Sequence, residues 1–175
     1  MAQTAKPFAT LETELADNTA KDISPLRLRN FLESALGCYG AMHIDGGSTA
    51  EVLTASATKI TGWLTAGLAK NTTPDPTTND ELTLSVDGIW LVCFSCSFLV
   101  TAATDRFKFE LRNNDVQVPG FASDVSGTLG DRVVCSWSNV GSFVASDDLT
   151  VYATAIGGLG DATLEHAQLT ATRVG

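Results

Sequence analysis

The sequence predicts an all-β fold, an antiparallel jelly-roll sandwich over residues 38–175, preceded by an extended arm and one short amphipathic helix in residues 1–37. Three observations lead to this fold class. Short β-prone runs alternate with turn residues, and no helical run separates them after residue 37. The composition is rich in Thr, Ala, Gly, Ser and Val, which suits strands and tight turns. One segment, Ile89–Val100, is apolar enough to form the centre of a core.

From Cys38 onward the chain reads as a series of strands and turns. Lys70–Asp80 is interpreted as a polar, proline-bearing loop. Asp87-Gly88 predicts a hairpin between its flanking strands, and Asn113–Asp115 predicts a second tight turn. The set amounts to about eight to ten strands, as expected for a sandwich. The candidate strands are 38–44, 52–53 with their surroundings, 59–64, 81–86, 89–100, 106–112, 116–118, 132–138, 149–156 and 167–174.

The N-terminal region predicts an arm followed by a helix. Residues 1–21 show no hydrophobic period, whereas Ser24 and Pro25 suit the N-cap and first helical positions and Gly37 suits the C-terminal stop. A helix of about twelve residues is too short to be stable alone, so its apolar face packs on the sandwich or on a larger assembly. In the second case it is an anchor formed by Ile23, Leu28, Phe31, Leu32 and Leu36.

The segment Ile89–Val100 is apolar on both of its faces if it is a strand. A sandwich core covers only one face of a strand, so the other face needs a second cover. Identical subunits around a symmetry axis would provide it, and the N-terminal helix is the alternative. The even-numbered face carries Trp90, Val92, Phe94, Cys96, Phe98 and Val100. The predicted oligomer interface on the odd-numbered face comprises Ile89, Leu91, Cys93 and Leu99.

The charge pattern excludes several classes of partner. The net charge is −9 and the basic residues are scattered singly. Binding to nucleic acid is driven by clustered Lys and Arg that displace counterions from the phosphates, so the sequence disfavours nucleic acid as a partner. An anionic membrane surface is disfavoured for the same reason. The first eighteen residues lack the apolar run of a signal peptide, and the twelve-residue run Ile89–Val100 is too short for a membrane helix. The sequence therefore predicts a soluble protein made in a cytoplasm.

Residues that often carry chemistry do not form a recognisable catalytic or metal motif. His43 and His166 have no further ligand at metal-binding spacing and are interpreted as surface or strand-edge histidines. His43 and Asp45 can share one strand face, but no nucleophile-elbow motif accompanies them. The sequence thus predicts no enzyme, no cofactor and no metal site.

The four cysteines, Cys38, Cys93, Cys96 and Cys135, are interpreted mainly as buried thiols. Cys93 and Cys96 fall on opposite faces of a strand and cannot pair without a turn. An inter-strand or inter-subunit disulfide remains the alternative.

Two motifs of the β region resemble a known family. Gly88–Phe94 follows the pattern Gly-x-aromatic-x-apolar-x-aromatic and resembles the mid-strand signature of complement globular heads and tumour-necrosis-factor-like jelly rolls. Leu129–Val133 resembles the Leu-Gly-Asp turn of that superfamily, and Ala167–Val174 lies where its closing strand would be. The resemblance covers about residues 38–175 and implies a homotrimer in which the strand of Gly88–Phe94 lies beside the three-fold axis. Trp90 stands where the family usually has tyrosine.

The N-terminal part has its own resemblance. Leu15–Pro25, continuing into Leu28–Phe31, is similar to a segment of small virion proteins of tailed bacteriophages, in which an arm and helix precede a β-rich head. The resemblance implies a head that trimerises and an arm that binds the major capsid protein or another virion protein. We therefore expect a homotrimeric decoration, cement or head-fibre protein on the outer surface of a capsid or tail. The alternative is a tail-fibre or baseplate tip that binds a receptor or glycan through loops such as 70–80 and 157–163; an enzyme such as a depolymerase ranks last.

Overall fold

Two antiparallel β-sheets face each other across an apolar core in the computed structural model, which describes residues 37–51, 55–101, 105–157 and 162–175. This part of the chain contains eleven strands and no helix. The strands are β1 (Tyr39–Glu51), β2 (Thr58–Lys59), β3 (Thr65–Ala66), β4 (Thr72–Asp75), β5 (Glu81–Leu84), β6 (Gly88–Val100), β7 (Asp105–Asn113), β8 (Val116–Gly127), β9 (Arg132–Phe143), β10 (Asp148–Ala155) and β11 (Ala162–Arg173).

The strand order confirms the predicted jelly-roll sandwich. Sheet A has the order β3-β1-β11-β6-β9, and sheet B has the order β4-β5-β10-β7-β8 with β2 beside β10. Neighbours in each sheet pair antiparallel, and several pairs join strands far apart in the chain, such as β1 with β11 and β6 with β11. The two long strands β11 and β6 occupy the middle of sheet A, so a residue facing outward from them lies at the centre of that sheet.

The core is built from the alternation of side chains along the strands. In β6 the even-numbered residues are buried, as the sequence predicts. Phe98 packs its ring against Phe107 and Phe109 of β7, with ring centroids 5.1 and 5.3 Å away. Phe94 lies 5.7 Å from Phe109 and 5.4 Å from Trp137 of β9. These contacts join the two sheets, because β6 and β9 belong to sheet A and β7 to sheet B.

The predicted hairpin at Asp87-Gly88 is wrong, although the turn at Asn113–Asp115 is present. β5 belongs to sheet B and β6 to sheet A, so the chain crosses between the sheets at Asp87-Gly88. The physical reason is strand length. The backbone N–H and C=O groups of the thirteen-residue β6 bond to those of the twelve-residue β9 and β11, whereas the four-residue β5 is too short to pair with all of β6. By contrast, Asn114 and Asp115 adopt the positive φ angles of a tight hairpin turn between β7 and β8.

Lys70–Asp80 is also only partly a loop, because it contains β4. Pro74 lies opposite Leu82 within this strand. Proline is tolerated there because β4 is at the edge of sheet B, where one side of the backbone needs no partner. Four strands, β1, β8, β9 and β11, extend further than the sequence predicts, and the predicted strand 59–64 is reduced to β2 at Thr58–Lys59.

The predicted arm and helix lie outside the described residues, as do the segment 52–53 and the proposed anchor residues Ile23, Leu28, Phe31, Leu32 and Leu36. The division of the chain into residues 1–37 and 38–175 therefore stays a prediction. Within the described ranges, no helix is long and apolar enough to cross a membrane.

Candidate functional site

The candidate site is the surface of sheet A that points away from the core, here called the outer face of sheet A. β6 places the four predicted interface residues there, Ile89, Leu91, Cys93 and Leu99. Leu91, Cys93 and Leu99 are half-buried, and Ile89 is 41% exposed. The described part of the chain therefore leaves this second apolar face of β6 partly open. Whether another copy covers these residues stays a prediction.

Strand β9 extends the apolar surface to the edge of sheet A. Val140 lies opposite Leu91 and is 51% exposed, and Val134 lies opposite Ser97 and is 70% exposed. No charged residue occurs between Val133 and Phe143. Natural edge strands usually carry lysine, proline or a bulge that blocks pairing with another chain. An uncharged edge of this length is typical of a strand that a partner covers.

The outward surface of sheet B has the opposite character, because ion pairs cover it. Glu110 is only 2% exposed and bonds to Lys108 and Arg112, while Arg112 also stacks over the ring of Tyr152 at 4.1 Å. Further pairs are Lys59–Glu81 at 3.8 Å and Arg106–Asp124 at 3.3 Å.

On the outer face of sheet A, the charged side chains among those described are few, and they lie toward one end. Arg132 and Glu165 pair with each other at 2.9 Å, and Asp45 pairs with His166. Depletion of charge distinguishes the core of a protein interface from ordinary surface. The contrast between the sheets therefore identifies the outer face of sheet A as the surface suited to a protein partner.

A shallow depression of about 390 Å³ lies within this face, and polar side chains from three strands line part of it. The register aligns these side chains in two rows across β1, β11 and β6. One row is Asp45, His166 and Ser97, and the next is His43, Gln168 and Ser95. Nδ1 of His166 lies 3.2 Å from Oδ1 of Asp45.

Sequence reasoning placed His43 and Asp45 on one strand face but treated His166 as an unrelated surface residue. Their proximity depends on the register of β11, which shifts at a bulge between Leu164 and His166. A one-residue change in register would move the His166 side chain to the other face of the sheet. The local sequence contains no signal for that register, because pairing with distant strands sets it. The histidines are surface residues, as predicted, but they form part of a cluster.

The row of Asp45, His166 and Ser97 has the order of an acid, a base and a nucleophile. In hydrolases with this arrangement the acid is buried and backbone N–H groups stabilise the oxyanion. Here the Asp45 side chain is 87% exposed, and N–H groups within a sheet lie in its plane and pair with neighbouring strands. Among the described residues, no group of three or more His, Cys, Asp and Glu side chains is arranged to hold a metal ion. The cluster is better suited to an interface than to catalysis.

The cysteines divide between the two faces of sheet A. Cys96 is buried in the core and Cys93 is half-buried on the outer face, which confirms that they point in opposite directions. Cys96 lies opposite Cys135 in the register, and all four cysteines are free thiols. Burial raises the pKa of the Cys96 thiol and that of the Cys135 thiol.

We expect these environments to give one reactive thiol. The thiolate is the species that alkylates, and burial disfavours it at Cys96 and Cys135, so iodoacetamide should modify Cys93 at least about tenfold faster than either. Peptide mass spectrometry of the folded protein at a concentration at which it is monomeric, with a Cys93→Ser control, measures this. Equal labelling of Cys96 and Cys93 would contradict the placement of Cys96 in the core.

Comparisons with known proteins address the fold. No protein-family profile and no curated protein matches this sequence. Among solved structures, Eiger TNF from S. frugiperda is similar with a TM-score of 0.57 at 15% identity, covering 79% of this chain and 94% of its own. The globular domain of the zebrafish complement 1qA protein has a TM-score of 0.54 at 10% identity, covering 78% and 96%. Murine APRIL has a TM-score of 0.51 at 12% identity, covering 78% and 99%.

The fold is tumour-necrosis-factor-like. The resemblance carried by Gly88–Phe94 is thus confirmed at the level of the fold, and identities of this size show nothing beyond it. The matched structures cover about four-fifths of the chain. The similarity of Leu15–Pro25 to phage virion proteins stays a prediction.

Proposed function

We propose that this chain is a non-enzymatic structural protein that forms a homotrimer through the outer face of sheet A. Residues 1–37 attach the trimer to a phage capsid, where it acts as a decoration or cement protein. The observation that carries the proposal is the charge-poor outer face of sheet A, where the described part of the chain leaves the apolar side chains of Ile89, Leu91 and Val140 partly open, beside a charge-rich sheet B.

Covering this face would stabilise an assembly. Each large apolar side chain removed from water contributes about 1.5–3 kcal/mol when it is fully buried, and Ile89, Leu91 and Val140 form a contiguous group. Their neighbours Cys93, Ser136 and Ser138 are small, which lets another surface approach closely. Identical copies are the natural cover, because each of them presents the same charge-poor surface around a common symmetry axis. Three-fold symmetry follows from the tumour-necrosis-factor resemblance, in which the strand equivalent to β6 lines the axis.

The attachment role rests on the N-terminal sequence. A trimer presents three copies of the apolar stripe that includes Leu28, Phe31 and Leu32. Three linked tethers bind far more tightly than one if the spacing of their sites on the capsid permits simultaneous contact. Three-fold positions between capsomers supply sites with matching symmetry.

The attachment is tested by deletion of residues 1–37. We expect the truncated chain to remain a soluble trimer and to lose binding to virions that lack the protein, measured by co-sedimentation. In the full-length chain, Phe31→Asp should weaken binding at least about tenfold, whereas Asn30→Asp, outside the apolar stripe that the sequence predicts, should not. Binding of the truncated chain to capsids would show that the anchor lies elsewhere.

Fractionation of virions into heads and tails separates the capsid role from the alternative one. A decoration protein is recovered with heads. Recovery with tails, together with adsorption of the purified head domain to host cells, would replace the capsid role by a receptor- or glycan-binding tip.

A further inference from the structure

We propose that assembly through the outer face of sheet A is linked to protonation of His166, so that the trimer tightens as the pH falls through the range in which histidine titrates. This inference rests on the proposed function, because it concerns the same surface. It starts from the depression that His43, Asp45, His166 and Gln168 line on the outer face of sheet A.

The geometry couples His166 to one acidic side chain. Nδ1 of His166 lies 3.2 Å from Oδ1 of Asp45, and in the isolated chain the two side chains are 60% and 87% exposed. Water therefore solvates both charges before assembly. A second copy that covers the face removes most of that water from both side chains.

Loss of water changes which protonation state is favoured. With a neutral imidazole, the covered pair keeps the full negative charge of Asp45, and burying an uncompensated carboxylate is costly. With an imidazolium, the pair is neutral overall and joined by a charge-assisted hydrogen bond. The covered state therefore takes up protons, and linkage requires association to strengthen as the pH falls from about 8 to about 6.

The other groups around the depression do not reverse this sign. Ser95 and Ser97 of β6 and Val134 of β9 are uncharged. Arg132 and Glu165 compensate each other through two contacts of 2.9 and 3.1 Å. Two other titratable side chains line the depression, the buried Cys96 and His43. The ring of His43 packs close to Gly67, where an added Cβ would lie 2.6 Å from Nε2.

An imidazolium at His43 would be covered without a carboxylate partner among the ion pairs of the described residues. The His43→Gln variant should therefore depend on pH more steeply than the wild type. His166, which does have a carboxylate partner, sets the direction.

The test measures dissociation of the full chain by sedimentation velocity at about pH 6 and about pH 8, in about 150 mM salt. We expect the concentration of half-dissociation to rise at least about threefold at the higher pH. His166→Gln should abolish the rise. Asp45→Asn should invert it, because a covered imidazolium then lacks its counter-charge. The matched control Asp124→Asn, which removes a carboxylate paired with Arg106 on sheet B, should keep the wild-type rise.

The outcomes separate this inference from the proposed function. A trimer whose dissociation is the same at both pH values, or an Asp45→Asn variant that keeps the wild-type rise, overturns the proton linkage and leaves the interface standing. A chain that is monomeric at both pH values overturns the interface and the linkage together.

Discussion

The variant Leu91→Asp is expected to be a folded monomer. Leu91 lies on the outer face of sheet A, between Thr172 of β11 and Val140 of the edge strand β9. A carboxylate there would be buried against apolar groups without a cation, which costs several kcal/mol per copy. We therefore expect the concentration of half-dissociation to rise at least about a hundredfold. Light scattering coupled to gel filtration gives the mass, and circular dichroism reports whether the strands persist.

Val116→Asp is the matched control for this variant. Val116 is 69% exposed in β8 of sheet B, so the same change there should leave the trimer intact. A Leu91→Asp variant that unfolds would mean that the chain's own residues cover the second face of β6, as the alternative role of the N-terminal helix requires. A variant that remains trimeric would place the interface on another surface.

The inward face of β6 should respond in a different way. Phe98 is fully buried, and its ring joins β6 to Phe107 and Phe109 of sheet B. Phe98→Ala removes those contacts and leaves a cavity, so the free energy of unfolding should fall by about 3–5 kcal/mol. This is a large share of the stability of a single domain. The measurement is urea denaturation in the Leu91→Asp background, where unfolding is not coupled to dissociation.

Leu99→Ala controls for the position in the strand, because Leu99 is the next residue and faces outward. Its effect on the unfolding of the monomer should be less than about 1 kcal/mol, since the side chain is only half-buried there. Similar losses from Phe98→Ala and Leu99→Ala would contradict the assignment of one face of β6 to the core and the other to the interface.

The strands with a clear period of two could be predicted from the sequence. β6 and β7 have large side chains at every second position, and both were placed to within two residues. The tight turn between β7 and β8 was also predictable, since Asn and Asp tolerate the positive φ angles that Asn114 and Asp115 adopt.

Features that depend on contacts between distant strands could not be predicted. β4 forms in a proline-bearing segment because it pairs with β5 at the edge of sheet B. The chain crosses from sheet B to sheet A after β5 because β6 pairs with β9 and β11. The extra length of β9 is built from small residues such as Ser138 and Gly141, whose local preference for strand is weak.

The candidate site shows the same division. The apolar half of the outer face of sheet A follows from the alternation of Ile89, Leu91, Cys93 and Leu99 within one strand. The pairing of His166 with Asp45 does not, because it requires the register of β11 against β1. Local sequence therefore indicates that the face is apolar, and only the tertiary structure shows that it contains a titratable pair.

The mass of the full chain in solution tests the central claim most directly. Sedimentation equilibrium of residues 1–175 should give three times the chain mass of 18.4 kDa. Residues 38–175 alone should likewise give three times the mass of the truncated chain, since the interface lies on sheet A. A mass of 18.4 kDa for the intact chain at micromolar concentration would contradict the account.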